Sequence, residues 1–339
     1  MAALSLLRRV RLSGAGAAAA AAGAAAGAGC ICRQARAEPA AAAAPPGSEV
    51  SRETSAMGEL RSILRARADW DRLGWRRLVD VYGSAEQVLL CYLRASAVPW
   101  DASGAAERIV KTLSFRAHHN LDRPDLARAI EEHPARSTWP FVMANSAPDG
   151  CPVIYARLAH MDVARTVNAY GEHEITRFVA MWFEQALRMQ GDTTRATGAP
   201  PRGTYDVYDC AGVRSWYKVI YDVKDNRGML GRVFSVGSEH YPDQLYRCFI
   251  LNAPSVAMVA WRIISSFLSE RVLHRVQISG GVPPELAEAL GGDEAVRRMQ
   301  GLAMPGEPTW SAAAAGGDEK SSAGETQAGS GTRGVVPEV

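Results

Sequence analysis

From residue 139 onward, short apolar runs alternate with helical stretches, and this alternation constrains the fold more than any other feature of the chain. TYDVYD (204–209), YRCFILN (246–252) and HRVQIS (274–279) are rich in β-branched and aromatic residues and read as strands. Between them lie a helical stretch over about 214–236 and the run PSVAMVAWRIISSFL over 254–268. Strand–helix–strand–helix–strand implies mostly parallel pairing, because each helix makes a crossover. Upstream, FVMAN and PVIYARL flank Pro148-Asp-Gly150, a turn signature between two strand-like runs. The strongest helix spans about 174–189, with Ile175, Phe178, Val179, Trp182, Phe183, Ala186 and Leu187 on one stripe and Gly191 as its expected end.

Residues 58–132 read as a small all-helical unit. Ser84 and Gln87 have capping-box spacing, in which each side chain satisfies an orphan backbone N–H. Asp101 is placed to cap the next helix, where Ala106, Ile109, Val110, Leu113 and Ala117 recur at three and four. Pro124 opens a further helix, LARAIEE.

Both ends of the chain stand apart from this pattern. Residues 1–50 carry five arginines and two glutamates in an alanine-rich context, the makeup of an organellar transit peptide, mitochondrial or plastid. A secretory signal would need a greasier stretch than alanine and glycine provide, and a plain alanine-rich tail is the third reading. Without targeting, the expected place is the cytoplasm, as a soluble or peripheral membrane protein. The tail 305–339 has almost no large apolar residue and is expected to stay disordered. The middle, 51–304, carries a net charge of only +2, too little for a dedicated nucleic-acid binder. No window is long and apolar enough to span a bilayer. Cys30 and Cys32 form CxC, while Cys91, Cys151, Cys210 and Cys248 stand alone and read as reduced, buried thiols rather than zinc ligands.

Signals for catalysis are missing. His173-Glu174 begins the HExxH zinc pattern, but Arg177 stands in its final place. His118 and His119 are adjacent, are expected to diverge at a helix C-terminus, and give no metal pair. The chain has no GxSxG, GxGxxG or GxxxxGK[ST] element. Asp206 and Asp209, three apart on one strand, do not share a face, and Asp209 reads as a turn-former before Gly212. No enzyme activity, metal or cofactor is therefore expected.

The stretch from His240 to Pro254, HYPDQLYRCFILNAP, resembles the "YYPE-L-----INAP" signature of the CRAL-TRIO family of lipid-binding and lipid-transfer proteins. Several other segments are similar in the right order over about 60–292. They are LLCYLRA (89–95), GCPVIY (150–155), the strand end at 205–212, WRIISSFL (261–268), HRVQI (274–278) and the glycine pair at 291–292. The resemblance implies an N-terminal helical module (58–132) and a lipid-binding domain (137–292) whose mostly parallel sheet is covered by helices around an apolar pocket. It implies one bound lipid, transient membrane contact and no other cofactor.

In such a fold, Phe249, Leu251, Val256, Met258, Val259, Trp261, Ile264, Phe267 and Leu268 are expected in the pocket or its gate helix, and Arg275, Asp243 and Arg94 at the head group. The family's phosphoinositide-coordinating lysine falls on Arg275, which keeps the charge and can still pair with phosphate. The threonine that accompanies that lysine falls on Val272, which cannot donate to a phosphate oxygen. The chain reads as a divergent member. A phospholipid is the expected cargo, with a tocopherol- or retinal-like isoprenoid as alternative, and a lipid-sensing scaffold as alternative to a transfer protein.

Overall fold

A computed structural model of the chain describes residues 46–67, 73–96, 100–144, 147–302 and 304. The transit-like stretch through residue 45, Cys30 and Cys32, and the tail from 305 lie outside the described residues. Residues 1–54 and 55–339 are two separate units, and the second carries the sheet and its covering helices.

Among the described residues, five α-helices come first: α1 (Pro46–Arg65), α2 (Trp75–Tyr82), α3 (Ala85–Arg94), α4 (Ala102–His118) and α5 (Leu126–Glu131). Their starts follow the local chemistry. Ser84 Oγ accepts from the Gln87 N–H at 3.1 Å, and Asp101 Oδ1 accepts from the Gly104 N–H at 3.0 Å. The capping box is only half formed, since the Gln87 amide donates to Cys91 Sγ instead. The face of α4 departs from expectation at one end: Ala117 is exposed, while Arg116 is buried.

The sheet opens with the antiparallel hairpin β1 (Val142–Ala144) and β2 (Val153–Arg157). The long helix α6 (Val163–Thr197) comes next, then β3 (Thr204–Asp209), α7 (Trp216–Asp225), α8 (Arg227–His240) and β4 (Leu245–Leu251). After them come α9 (Ala257–Ser265), α10 (Glu270–Leu273), β5 (Val276–Ile278), α11 (Pro284–Leu290) and α12 (Asp293–Gln300). The strands lie in the order β1-β2-β3-β4-β5, and all pairs after the first are parallel.

Helix α6 runs past its expected end to Thr197 and bends at Gly171, whose φ of 69° and ψ of 170° are non-helical. Gly191 does not end it because its role is packing. A Cβ there would lie 2.1 Å from the Val81 carbonyl oxygen, so only glycine lets α2 lie this close to α6. The single helix expected over 214–236 is two, α7 and α8. Helix α12 lies beyond the end read from the sequence.

Sequential parallel strands joined by right-handed crossovers put every connecting helix on the same side of the sheet. That leaves the other side to the helices after the last strand. Ile154 and Ala156 accordingly join one apolar cluster with α1–α6 and α8, against which Tyr208, Ile263, Ile264 and Phe267 pack. Val153, Tyr155, Tyr205, Val207, Phe249 and Leu251 form a second cluster with Leu286, Leu290, Val296 and Met299 of α11 and α12.

Candidate functional site

The two faces of the central strands are filled to different degrees. On the α11–α12 side, Tyr205, Val207, Phe249 and Leu251 are buried to 4% exposure or less. On the other side, Asp206, Tyr208 and Ile250 keep accessible surface although helices cover them. Alternation along the strands puts Asp206 beside Cys248 and Tyr208 beside Ile250 on that face. The covering layer thus leaves the middle of this face unsealed. This corrects the expected pocket in one respect: Phe249 and Leu251 sit on the sealed side, because period-two alternation sends them away from the crossover helices.

Helix α9 packs beside α7 and α8 and divides into a covered edge and an exposed one. Ala257 and Ala260 are buried, and Ile263, Ile264 and Phe267 turn toward the apolar cluster. Trp261 and Leu268 are half-buried. Phe267 rests on Gly231 of α8, where a Cβ would meet its ring at 3.3 Å. Val256, Met258 and Val259 are exposed by 36%, 42% and 44%. Helix α9 packs beside α7, whose Tyr217 and Tyr221 are also exposed. These five side chains expose apolar surface on, or at the start of, two helices in contact. Met229 is buried in the main core.

The expected head-group residues do come together, at the amino ends of β4 and β5. Arg275 Nη2 donates to Asp243 Oδ1 at 2.8 Å, and Arg275 Nη1 to the Leu245 carbonyl. Arg271, which the sequence reading missed, donates to the same Asp243 Oδ1 at 3.1 Å and to the Arg94 carbonyl at 2.8 Å. Arg94 therefore contributes its backbone to this cluster. Two guanidiniums share one carboxylate, so the cluster keeps net positive charge.

Other residues of the HYPDQ–NAP stretch serve as scaffolding. Tyr241 is buried and its hydroxyl donates to Glu184 Oε2 at 3.3 Å. His240 stacks on Phe115 at 4.0 Å, and its carbonyl accepts from the Tyr92 hydroxyl at 2.9 Å. Asn252 Nδ2 donates to Asp209 Oδ1 at 2.8 Å. Asp209 is the turn-former expected, with Oδ1 also accepting from the Ala211 N–H at 2.8 Å and Oδ2 from the Tyr155 hydroxyl at 3.1 Å.

Asp206 is different. It faces the unsealed side, its one side-chain partner among the described residues is Thr204 Oγ1 at 2.7 Å, and burial pushes its carboxyl up to about 6. A cavity of about 690 Å³ opens at the carboxyl ends of β2 and β3, lined by Arg157, His160, Asp209, Arg214, Lys218 and Asp222 among others. Leu158, Met161, Val213 and Val219 add apolar wall, and none of the expected gate residues lines it.

Cys91, Cys151, Cys210 and Cys248 are free and buried, as expected. No helix among the described residues is long and apolar enough to cross a membrane. His118 and His119 do not diverge. Residue 119 is the C-cap rather than part of the helix, and its ring stacks on His173 at 5.2 Å.

Comparison with known proteins agrees with this architecture. Residues 136–294 match the CRAL/TRIO domain. The chain is 26% identical to "Protein real-time" of Aedes aegypti over 195 residues, covering 58% of this chain and 29% of that protein. It is 22% identical to the "Sec14 cytosolic factor" of Schizosaccharomyces pombe over 227 residues, covering 66% of this chain and 76% of the yeast protein. Among solved structures, that of Sfh5 matches with a TM-score of 0.45 at 16% identity, over 72% of this chain and 88% of that one. The chain spans 27–30% of the length of the insect and nematode relatives it matches. Residues 136–294 are a CRAL/TRIO domain, and the low identities to its relatives fit a divergent one.

Proposed function

We propose that the chain holds one hydrophobic lipid, a phospholipid, between the unsealed face of its sheet and helices α7 to α9, and carries or presents it between membranes without chemical change. The observation that carries this reading is the pairing of that unsealed face with the exposed apolar edge of α9. Against a bilayer, Val256, Met258, Val259, Tyr217 and Tyr221 trade water for lipid. Swinging α9 outward there exposes Ile263, Ile264 and Phe267 to tails rather than to water. In water the same motion costs about 25 cal/mol per Å² of apolar surface uncovered, which favours the closed state. The surplus positive charge of Arg271 and Arg275 over Asp243 suits an anionic head group. A carrier role, rather than catalysis, is supported by the structural use of Asp209 and His240.

Asp206 favours a second reading, a neutral isoprenoid alcohol. A partly protonated carboxyl inside an apolar hollow can hydrogen-bond a hydroxyl, which an acyl chain lacks. The deciding experiment is native mass spectrometry of the whole chain, followed by extraction of what it carries and by a vesicle-to-vesicle transfer assay. One phospholipid, lost or exchanged in Arg271→Ala/Arg275→Ala, supports the first reading. A neutral isoprenoid, lost in Asp206→Ala, supports the second. Bound lipid without transfer points to a sensor, and a chain that stays empty after incubation with vesicles ends the carrier reading.

A further inference from the structure

Three imidazoles meet where α4 ends beside α6. His118 is the last residue of α4, His119 is its C-cap, and His173 lies two residues past the Gly171 bend. Their potential ligand nitrogens all lie within 4.8 Å of one another. The rings are in contact, with His118 edge-on to His119 at 4.8 Å and to His173 at 5.6 Å. His119 is 6% exposed, and its Nδ1 is buried without a hydrogen-bond partner. A buried polar atom left unpaired is costly and calls for an explanation.

We propose that His118, His119 and His173 bind one divalent transition-metal ion of the zinc class, with water in the fourth place. Imidazole nitrogen suits this class far better than magnesium or calcium, which take oxygen. Zinc–nitrogen bonds of about 2.0–2.1 Å put tetrahedral ligand atoms about 3.4 Å apart. The spacing seen here exceeds that value, and His118 and His173, both exposed, are the side chains that would have to turn inward on His119 to close it.

The surroundings are balanced. Arg177 is one turn further along α6, but it pairs with Glu174 Oε2 at 3.6 Å, and Glu174 Oε1 lies 3.9 Å from His173 Nε2. Glu174 Oε2 also lies 3.6 Å from His133 Nε2, so this carboxylate offsets positive charge beside the three imidazoles. Because α4 belongs to the helical module and α6 to the family domain, a bound ion would tie the two together. This inference stands independently of the lipid cargo.

The test is calorimetric titration of the EDTA-stripped full-length chain with Zn²⁺, accompanied by thermal melts. His118→Ala and His173→Ala remove exposed side chains, and melts without metal verify that they fold. A Cys30→Ser/Cys32→Ser variant removes the other plausible zinc ligands. The expected result is one ion per chain, about tenfold or more weaker in each histidine variant and unchanged in the cysteine variant. The metal-dependent rise in melting temperature should vanish in His118→Ala and His173→Ala. Absence of micromolar binding, equal binding in the histidine variants, or loss only in the cysteine variant would each overturn the proposal.

Discussion

Arg116 and Glu184, 68 residues apart in sequence, meet in the interior as a two-pronged ion pair at 2.9 and 3.1 Å, with side chains 1% and 0% exposed. Burial alone would lower the Arg116 pKa, but Glu184 and Asp122 outweigh it and raise the pKa, so the guanidinium stays charged. Asp122 completes the arrangement at 2.5 Å from Arg116, and Tyr241 donates to Glu184. Removing one partner strands the other charge in the core. Glu184→Gln is expected to lower stability by about 3–5 kcal/mol in urea unfolding, whereas Arg116→Met/Glu184→Met should come close to wild type. Additive losses in the double variant would show that the two do not act as a pair.

Gly191 sets two opposing effects against each other. Alanine is the better helix former by about 1 kcal/mol. Its Cβ, however, would sit 2.1 Å from a backbone oxygen of α2, which yields only if the helices part. The clash is expected to win, and Gly191→Ala should lose about 1–3 kcal/mol in thermal or urea unfolding. A stabilised variant would mean that α2 does not lie against α6 as described.

Much of this architecture is legible in the sequence, and the reasons are local. Strand β3 matches TYDVYD because alternation and flanking turns act over a few residues. The caps at Ser84 and Asp101 come from side chains three positions from the groups they satisfy. What escapes depends on distance through space. Arg116 lies on an apolar helix face and looks like an interruption until Glu184 is seen opposite it. Gly191 reads as a helix end because nothing in the sequence announces the backbone of α2 beside it. Phe249 and Leu251 are expected in the pocket from the resemblance, while the face they occupy follows from which side of the sheet the crossover helices cover.

The exposed edge of α9 separates function from stability. Met258→Lys should change unfolding free energy by no more than about 0.5 kcal/mol, since the side chain already meets water. The same variant should bind phospholipid vesicles several-fold more weakly in a sedimentation assay. Unaltered vesicle binding would remove α9 from the membrane contact.

Asp206 makes a prediction about pH. Its folded-state pKa, about 6, lies above the ordinary 3.8, so the folded chain holds that proton more tightly than the unfolded chain. The associated stability is fully present below about pH 4 and is lost as pH rises toward and through 6. Asp206→Asn should therefore gain on wild type across that window, by about 1–3 kcal/mol at pH 7. Parallel pH profiles of unfolding for the two proteins would refute the burial of this carboxyl. If the ligand occupies the hollow beside Asp206, its release should also quicken above pH 6 in wild type and not in Asp206→Asn.

The sheet's unequal faces bear on how such a chain diversifies. Tyr205, Val207, Phe249 and Leu251 are locked into a filled layer, and their immediate neighbours along the same strands, Asp206, Tyr208, Cys248 and Ile250, look into the looser one. Odd and even positions of two short strands thus answer to different selective demands. Substitutions can accumulate at the looser positions one residue at a time while the adjacent residue keeps the filled layer intact. A lineage can drift far in sequence on that looser face and still fold by the same plan.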